Sequence, residues 1–208
     1  MAGSLAILGS CNIIAPIGYI VHGPEKIPAL YELDPKKVTV VFIDDSRGSV
    51  LPSRAVRSRI GEMAENMLLN EAGIEKVVAS KDVMAIADRE KYSKQLGIAE
   101  IGEAVGADVI VYVTMQSFQM LQDGEYFTPI ASALVRVVDV KEKKQLWPEK
   151  LDKSFTLSVE TPPRAAAIPK GTAERNKAQL VFAERVGRGV ANVFIAHTEI
   201  PEAGLLDH

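Results

Sequence analysis

At 208 residues, with 47% apolar and 25% charged side chains, the chain has the length of one globular domain with appendages and the composition of an ordinary α/β protein. A net charge of −3 without a basic block argues against nucleic acid as the main partner, because phosphate binding needs clustered Lys and Arg. The one Cys rules out an internal disulfide and any Cys-based zinc site, and no apolar run approaches the roughly 20 residues of a membrane-spanning helix.

Near the start, Leu8-Gly9-Ser10-Cys11 has the form of a bacterial lipobox: an aliphatic residue, two small residues, then the Cys that is lipidated. Small residues let a peptidase reach the backbone beside the Cys, and an apolar segment holds that site at the membrane surface. Acyl chains on the sulfur then anchor the product at about 0.8 kcal/mol per buried methylene, durably when several chains act together. No Lys or Arg precedes Cys11, whereas a secretory signal carries a basic start and roughly 7–15 apolar residues. Residues 1–10 are therefore read as the end of a signal peptide whose basic start lies upstream. The alternative is a chance Cys on an apolar N-terminal strand. Asn12, rather than Asp, after the Cys favours the outer over the inner membrane by analogy with such lipoproteins.

Residues 12–35 are punctuated by Pro16, Gly18, Gly23, Pro24 and Pro28, which excludes a long helix and suits a tether. Ala29–Leu33 has room for a short edge strand, and His22, with no second His nearby, reads as a loop residue. Val38–Ile43 then forms an apolar run, the mark of a strand buried on both faces. It ends in Asp44-Asp45, the most enzyme-like feature of the chain. Ligands of open α/β sheets collect at the C-terminal strand ends, and two acids can hold a metal ion or serve a phosphoryl site. A receiver-type site also needs a further Asp and a Lys at other strand ends, and neither follows here, so solvated turn carboxylates are the favoured reading.

Ser53 is placed to cap a helix whose Val56, Ile60, Met63, Ala64, Met67 and Leu68 recur at helical spacing, with Gly73 closing it. Arg54, Arg57 and Arg59 crowd its first turns, where the helix dipole prefers anions. They serve either an anionic partner or, as the favoured reading, the acids at 44, 45 and 62. Ile74–Ala79 predicts a second parallel strand and Ser80 a second helix to about Glu90, followed by a third helix from Ile98 to Val105. Gly97, Gly102 and Gly106 surround a helix that precedes a strand, whereas a dinucleotide loop follows one.

The longest β-branched runs come next. Ala107–Phe118 and Thr128–Val140 flank Gln122-Asp123-Gly124-Glu125, where Asp-Gly is a turn signal, and predict an antiparallel hairpin at the middle of a sheet. Lys143-Lys144-Gln145 reads as a solvated turn or strand end, and Ser154–Val159 as an edge strand. A Pro/Ala connector over 161–171 leads to a final helix from Thr172 to about His197, with Gly187 and Gly189 read as close contacts on the sheet. His197 and His208 lack a nucleophile–base spacing.

The order Gly106-Ala107-Asp108, apolar strand, hairpin, Asp139-Val140, Trp147 resembles the small α/β module of Gram-negative envelope lipoproteins. That group includes the curli secretion-channel lipoprotein, the penicillin-binding-protein activator lipoproteins and the N-terminal domain of the Tol-system β-propeller protein. The resemblance covers roughly residues 36–148 and implies a non-catalytic protein that binds partners in the periplasm. It does not imply a channel, because no spare pair of strands of about ten residues exists to cross a membrane. Nor does it imply a particular synthase partner.

The reading is thus an α/β, α+β-like two-layer sandwich: a mixed sheet with a long antiparallel hairpin and helices mainly on one face. Residues 1–10 are a signal peptide end, 11–35 the lipidated Cys and tether, 36–198 one domain, and 199–208 a polar tail. The expected function is a membrane-anchored periplasmic binding or assembly module without catalytic residues or cofactor. Its partners are the membrane, through Cys11, and other envelope proteins, with oligomeric state open. The alternative is a soluble cytoplasmic protein or enzyme using Asp44 and Asp45 as a metal or phosphate site.

Overall fold

The computed structural model describes residues 26–45, 50–89, 96–123, 126–150, 153–161 and 168–198. The chain divides into two units, Ala29–Ile195 and, separately, Met1–Pro28 with Ala196–His208. In the second of these, strands β1 (Lys26–Ile27) and β8 (His197–Thr198) pair antiparallel.

The larger unit is an α/β sandwich on a mixed sheet. Strands β2 (Thr39–Asp44), β3 (Val77–Val78), β4 (Val109–Asp123), β5 (Tyr126–Asp139) and β6 (Lys144–Trp147) lie in the order β3-β2-β4-β5-β6, and β7 (Phe155–Glu160) also pairs with β5. Both neighbours of β2 run parallel to it, while β5 is antiparallel to β4, β6 and β7. Four helices accompany the sheet among the described residues: α1 (Arg54–Asn70), α2 (Ser80–Arg89), α3 (Ile98–Ala104) and α4 (Thr172–Asn192).

The β4–β5 hairpin forms where the alternating runs predict it, with pairs from Val109↔Asp139 to Asp123↔Tyr126. Its register shifts once, between Met115 and Ser117. The cause is visible in the chain: Met115 and Phe118 are both apolar but three residues apart, which strict alternation would send to opposite faces. The extra residue at the bulge returns Phe118 to the face of Met115, where its ring meets Phe182 of α4 at 5.1 Å.

Alternate residues of β2 and β4 feed two separate cores. Val41, Ile43, Val109, Val111 and Val113 pack against Ile60, Ala64 and Leu68 of α1 and Phe182, Val186 and Val190 of α4. Val40, Phe42, Ile110 and Tyr112 pack against Val83 and Met84 of α2 and Ile101 of α3. Each fully buried Val or Ile contributes roughly 1.5–3 kcal/mol over exposure. The long helices therefore share one face, and the short ones cover the parallel end of the other. On that second face β7 shows solvent Thr156, Ser158 and Glu160, the polar side expected of an antiparallel sheet covered once.

Ser53 caps α1 by accepting from Val56 N, as its position predicts. Residues 29–35, read from the sequence as the end of a tether with room for an edge strand, form no strand. Instead Leu30 N and Tyr31 N donate to Val193 O, Leu33 is buried, and Tyr31 joins the rings of Trp147 and Phe194. Helix α4 stops at Asn192 rather than His197, because Val193, Phe194 and Ile195 turn inward to be buried.

The Gly-Ala-Asp and Asp-Val motifs have structural duties. Gly106 follows α3 at φ +70°, Ala107 is buried, and Asp108 Oδ2 accepts Val38 N at 2.8 Å, tying the start of β4 to the start of β2. Asp139 accepts Glu142 N at 2.9 Å and the Lys37 ammonium at 2.8 Å. The backbone N–H and the ammonium hold the Asp139 carboxyl below the usual 3.8, and the same hydrogen bond raises Lys37. A depressed acid stabilises the fold above its unfolded pKa, and that contribution disappears as pH falls through the lower folded value. Asp139→Asn should therefore lower stability at neutral pH and make the loss on acidification from about pH 4 downward shallower, in urea unfolding across pH. Parallel curves for both proteins would show that Asp139 carries no such linkage.

Of the two glycines read as sheet contacts, Gly189 does lie on the sheet, where an added Cβ would sit 2.8 Å from Val159 Cγ2 of β7. Gly187 instead lets α4 cross α1: a Cβ there would press into the carbonyl oxygen of Ile60 and stand 2.8 Å from Met63 Cβ. Gly→Ala inside a helix ordinarily gains up to about 1 kcal/mol, but overpacking costs about 1–3. Gly187→Ala should thus destabilise by about 1–2 kcal/mol in urea unfolding. A neutral or stabilising result would mean that the helices are not in contact there.

Candidate functional site

The acid pair was the strongest candidate for chemistry, and both residues stand at the C-terminal end of β2. Asp44 accepts the Tyr112 hydroxyl from the neighbouring β4. Asp45 accepts Val50 N at 3.2 Å and Leu51 N at 3.3 Å, which ties the strand exit to the residues before α1. The two carboxylates therefore hold different parts of the structure. Among the described residues, no group of three or more His, Cys, Asp or Glu converges as a metal site.

Tyr112 is the residue around which this end of the sheet is built. It is buried at the second core, meets Phe42 edge-on at 5.4 Å, and carries the Arg136 guanidinium 4.7 Å above its ring. Arg136 reaches it because the two residues face each other across the hairpin. Burial, and then the hydrogen bond to Asp44, push the phenol up to about 12 from 10.0. At neutral pH it is a donor to Asp44 and not a base. This cluster was not expected from the sequence, although counting across the hairpin would have paired Tyr112 with Arg136.

The arginines at the start of α1 do not meet the acids expected for them, apart from Arg59, which pairs with Glu62 at 3.7 Å and with Glu184 of α4 at 3.3 Å. Arg54 and Arg57 both converge on Asp88 of α2, at 3.1 and 3.2 Å. Arg57 also donates Nε to Ile43 O at 2.7 Å, satisfying a carbonyl of β2 beyond the last β3 pair. The sequence does not point to Asp88, because helix–helix pairing depends on how α1 and α2 cross, which spacing within one helix does not reveal. Glu65 of α1 likewise caps α2 from outside by accepting Ser80 N, and its burial raises its pKa.

Cys11, the lipobox residues Leu8, Gly9 and Ser10, and His22 and His208 lie outside the described residues. His197 lies in β8.

The Tyr112–Asp44 contact has an alkaline signature. A phenol raised in the folded state stabilises fully below pH 10 and loses that contribution as pH rises toward 12. The absorbance titration that Tyr112→Phe removes should have its midpoint near pH 12, and Asp44→Ala should lower it without returning it to 10.0. A midpoint that Asp44→Ala leaves in place would contradict the contact.

No family model matches the chain, and no curated protein sequence matches it. Solved structures are similar to it in fold. PelC from Paraburkholderia phytofirmans, crystallised as a dodecamer of a point variant, is 10% identical, with 82% of this chain and 97% of that chain covered at a TM-score of 0.45. Lipoprotein GNA1162 from Neisseria meningitidis is 14% identical, covering 70% and 95% at 0.42. The LpoB C-terminal domain from Salmonella enterica is 15% identical, covering 69% and 93% at 0.33. Likeness at these identities and scores concerns the arrangement of elements and carries no argument about role.

Proposed function

We propose that the chain is a lipid-anchored, non-catalytic binding or assembly module of the bacterial cell envelope, facing the periplasm and held by acyl chains on Cys11. The observation that carries this reading is Leu8-Gly9-Ser10-Cys11, with the chain's one Cys at the acceptor position and a Pro/Gly-punctuated stretch after it. The order of motifs shared with envelope lipoproteins supports it independently. The enzyme-like acids have structural work that suits such a module: Asp44 holds a phenol and Asp45 two backbone amides. Asn12 favours the outer membrane as the destination.

Expressed from its native gene in a bacterial host, the protein should fractionate with membranes and incorporate labelled fatty acid. Cys11→Ser should abolish the labelling and release the protein to the soluble fraction, because a full set of acyl chains anchors at about 0.8 kcal/mol per methylene. Membrane fractionation that survives Cys11→Ser would overturn the reading.

A further inference from the structure

An open recess of about 180 Å³ lies between helices α1 and α2, beside the end of β2. We propose that it binds a phosphate group, an assignment that stands apart from the Cys11 reading and asks nothing of it.

The charge of the wall is the first reason. Among the described residues, Arg54, Arg57 and Lys81 line it against one acid, Asp88, a formal balance of +2 from three cations and one anion. Among the described residues Lys81 has no acidic partner, while Asp88 holds both guanidinium groups within 3.2 Å. One carboxylate therefore gathers two like charges, and a second anion beside them would relieve the repulsion.

Preorganisation is the second reason. Arg57 is only 12% exposed, fixed by Ile43 O and Asp88 and lying 6.0 Å from the Phe42 ring centroid. Its Nε and one terminal nitrogen are committed to these partners, which leaves the second terminal nitrogen as its remaining donor on a guanidinium already held at the edge of the recess. Ser58 and Met84 also line the recess, the first a hydroxyl residue of α1 and the second an apolar residue of α2, while Arg54 and Lys81 reach it from the solvent side. Donors from two helices suit a tetrahedral oxyanion with several acceptor oxygens.

Size is the third. The space exceeds the roughly 30 Å³ share of one water but falls short of the roughly 300–1,000 Å³ of cofactor and drug-sized pockets. It holds a single phosphate group, free or at the head of a lipid.

The test uses the full chain carrying Cys11→Ser, so that no acyl group contributes. One arm titrates inorganic phosphate and follows backbone amides by NMR. The other co-sediments the protein with vesicles of phosphatidylglycerol, whose phosphate keeps its negative charge, or of phosphatidylcholine, whose choline neutralises the phosphate it caps. Phosphate should shift amides around Ser58 and Lys81, or phosphatidylglycerol vesicles should retain the protein where phosphatidylcholine does not. The first result identifies free phosphate as the source and the second a lipid headgroup. Arg54→Ala with Lys81→Ala, both on exposed side chains, should weaken either response about tenfold or more while leaving urea unfolding unchanged. Lys81→Arg should retain it. No response in either arm, or a response that the double variant leaves intact, would overturn the assignment.

Discussion

The pairing of β4 on both of its sides is the constraint on which the larger unit depends. From Val109 to Val113 the strand is bonded to β2 on one side and to β5 on the other, and its side chains are buried on both faces. A backbone in that position has every ladder partner supplied, and its side chains must be apolar in both directions, which is why the run does not alternate. Once this strand is placed, the two cores follow. Odd-numbered residues of β2 and of the first half of β4 collect the long helices α1 and α4, and even-numbered ones collect α2 and α3. The Asp108 and Asp139 carboxylates secure one end of the arrangement, where the start of β4 lies beside the end of β5: the first holds Val38 N just before β2, the second the turn after β5 and the Lys37 ammonium.

Much of this was legible in the amino acids because it rests on local periodicity. The hairpin, the cap at Ser53, the α1 stripe and the parallel β2–β3 pair all follow from spacing within a few residues. What escaped detection depends on how separate elements meet. Arg57 and Asp88 are 31 residues apart, and Tyr112 and Asp44 are 68 apart, so only the packed sheet reveals them. Gly187 was rightly read as a close contact, but its neighbour was the backbone of α1 and not a strand, since periodicity reports a buried face without naming what buries it. The bulge at Gln116 is an intermediate case: the three-residue gap between Met115 and Phe118 encodes it, provided that both are assigned to the same face.

The candidate chemistry resolves differently from the candidate fold. Residues that resemble catalytic equipment, paired acids at a parallel strand end and arginines at a helix start, turn out to close loops, hold a phenol and satisfy a sheet edge. Polar side chains near a core are costly unless paired, and these are paired. The proposed role accordingly rests on the stretch before the domain, on a thioether at Cys11 and the bilayer it would enter.

Intact-mass spectrometry of the mature protein isolated from its native membrane tests the anchoring claim most directly. The account predicts a polypeptide that begins at Cys11 and carries the added mass of a diacylglyceryl group, with or without a further acyl chain on its new amino terminus. A mature chain that retains residues before Cys11 and bears no acyl mass would contradict it.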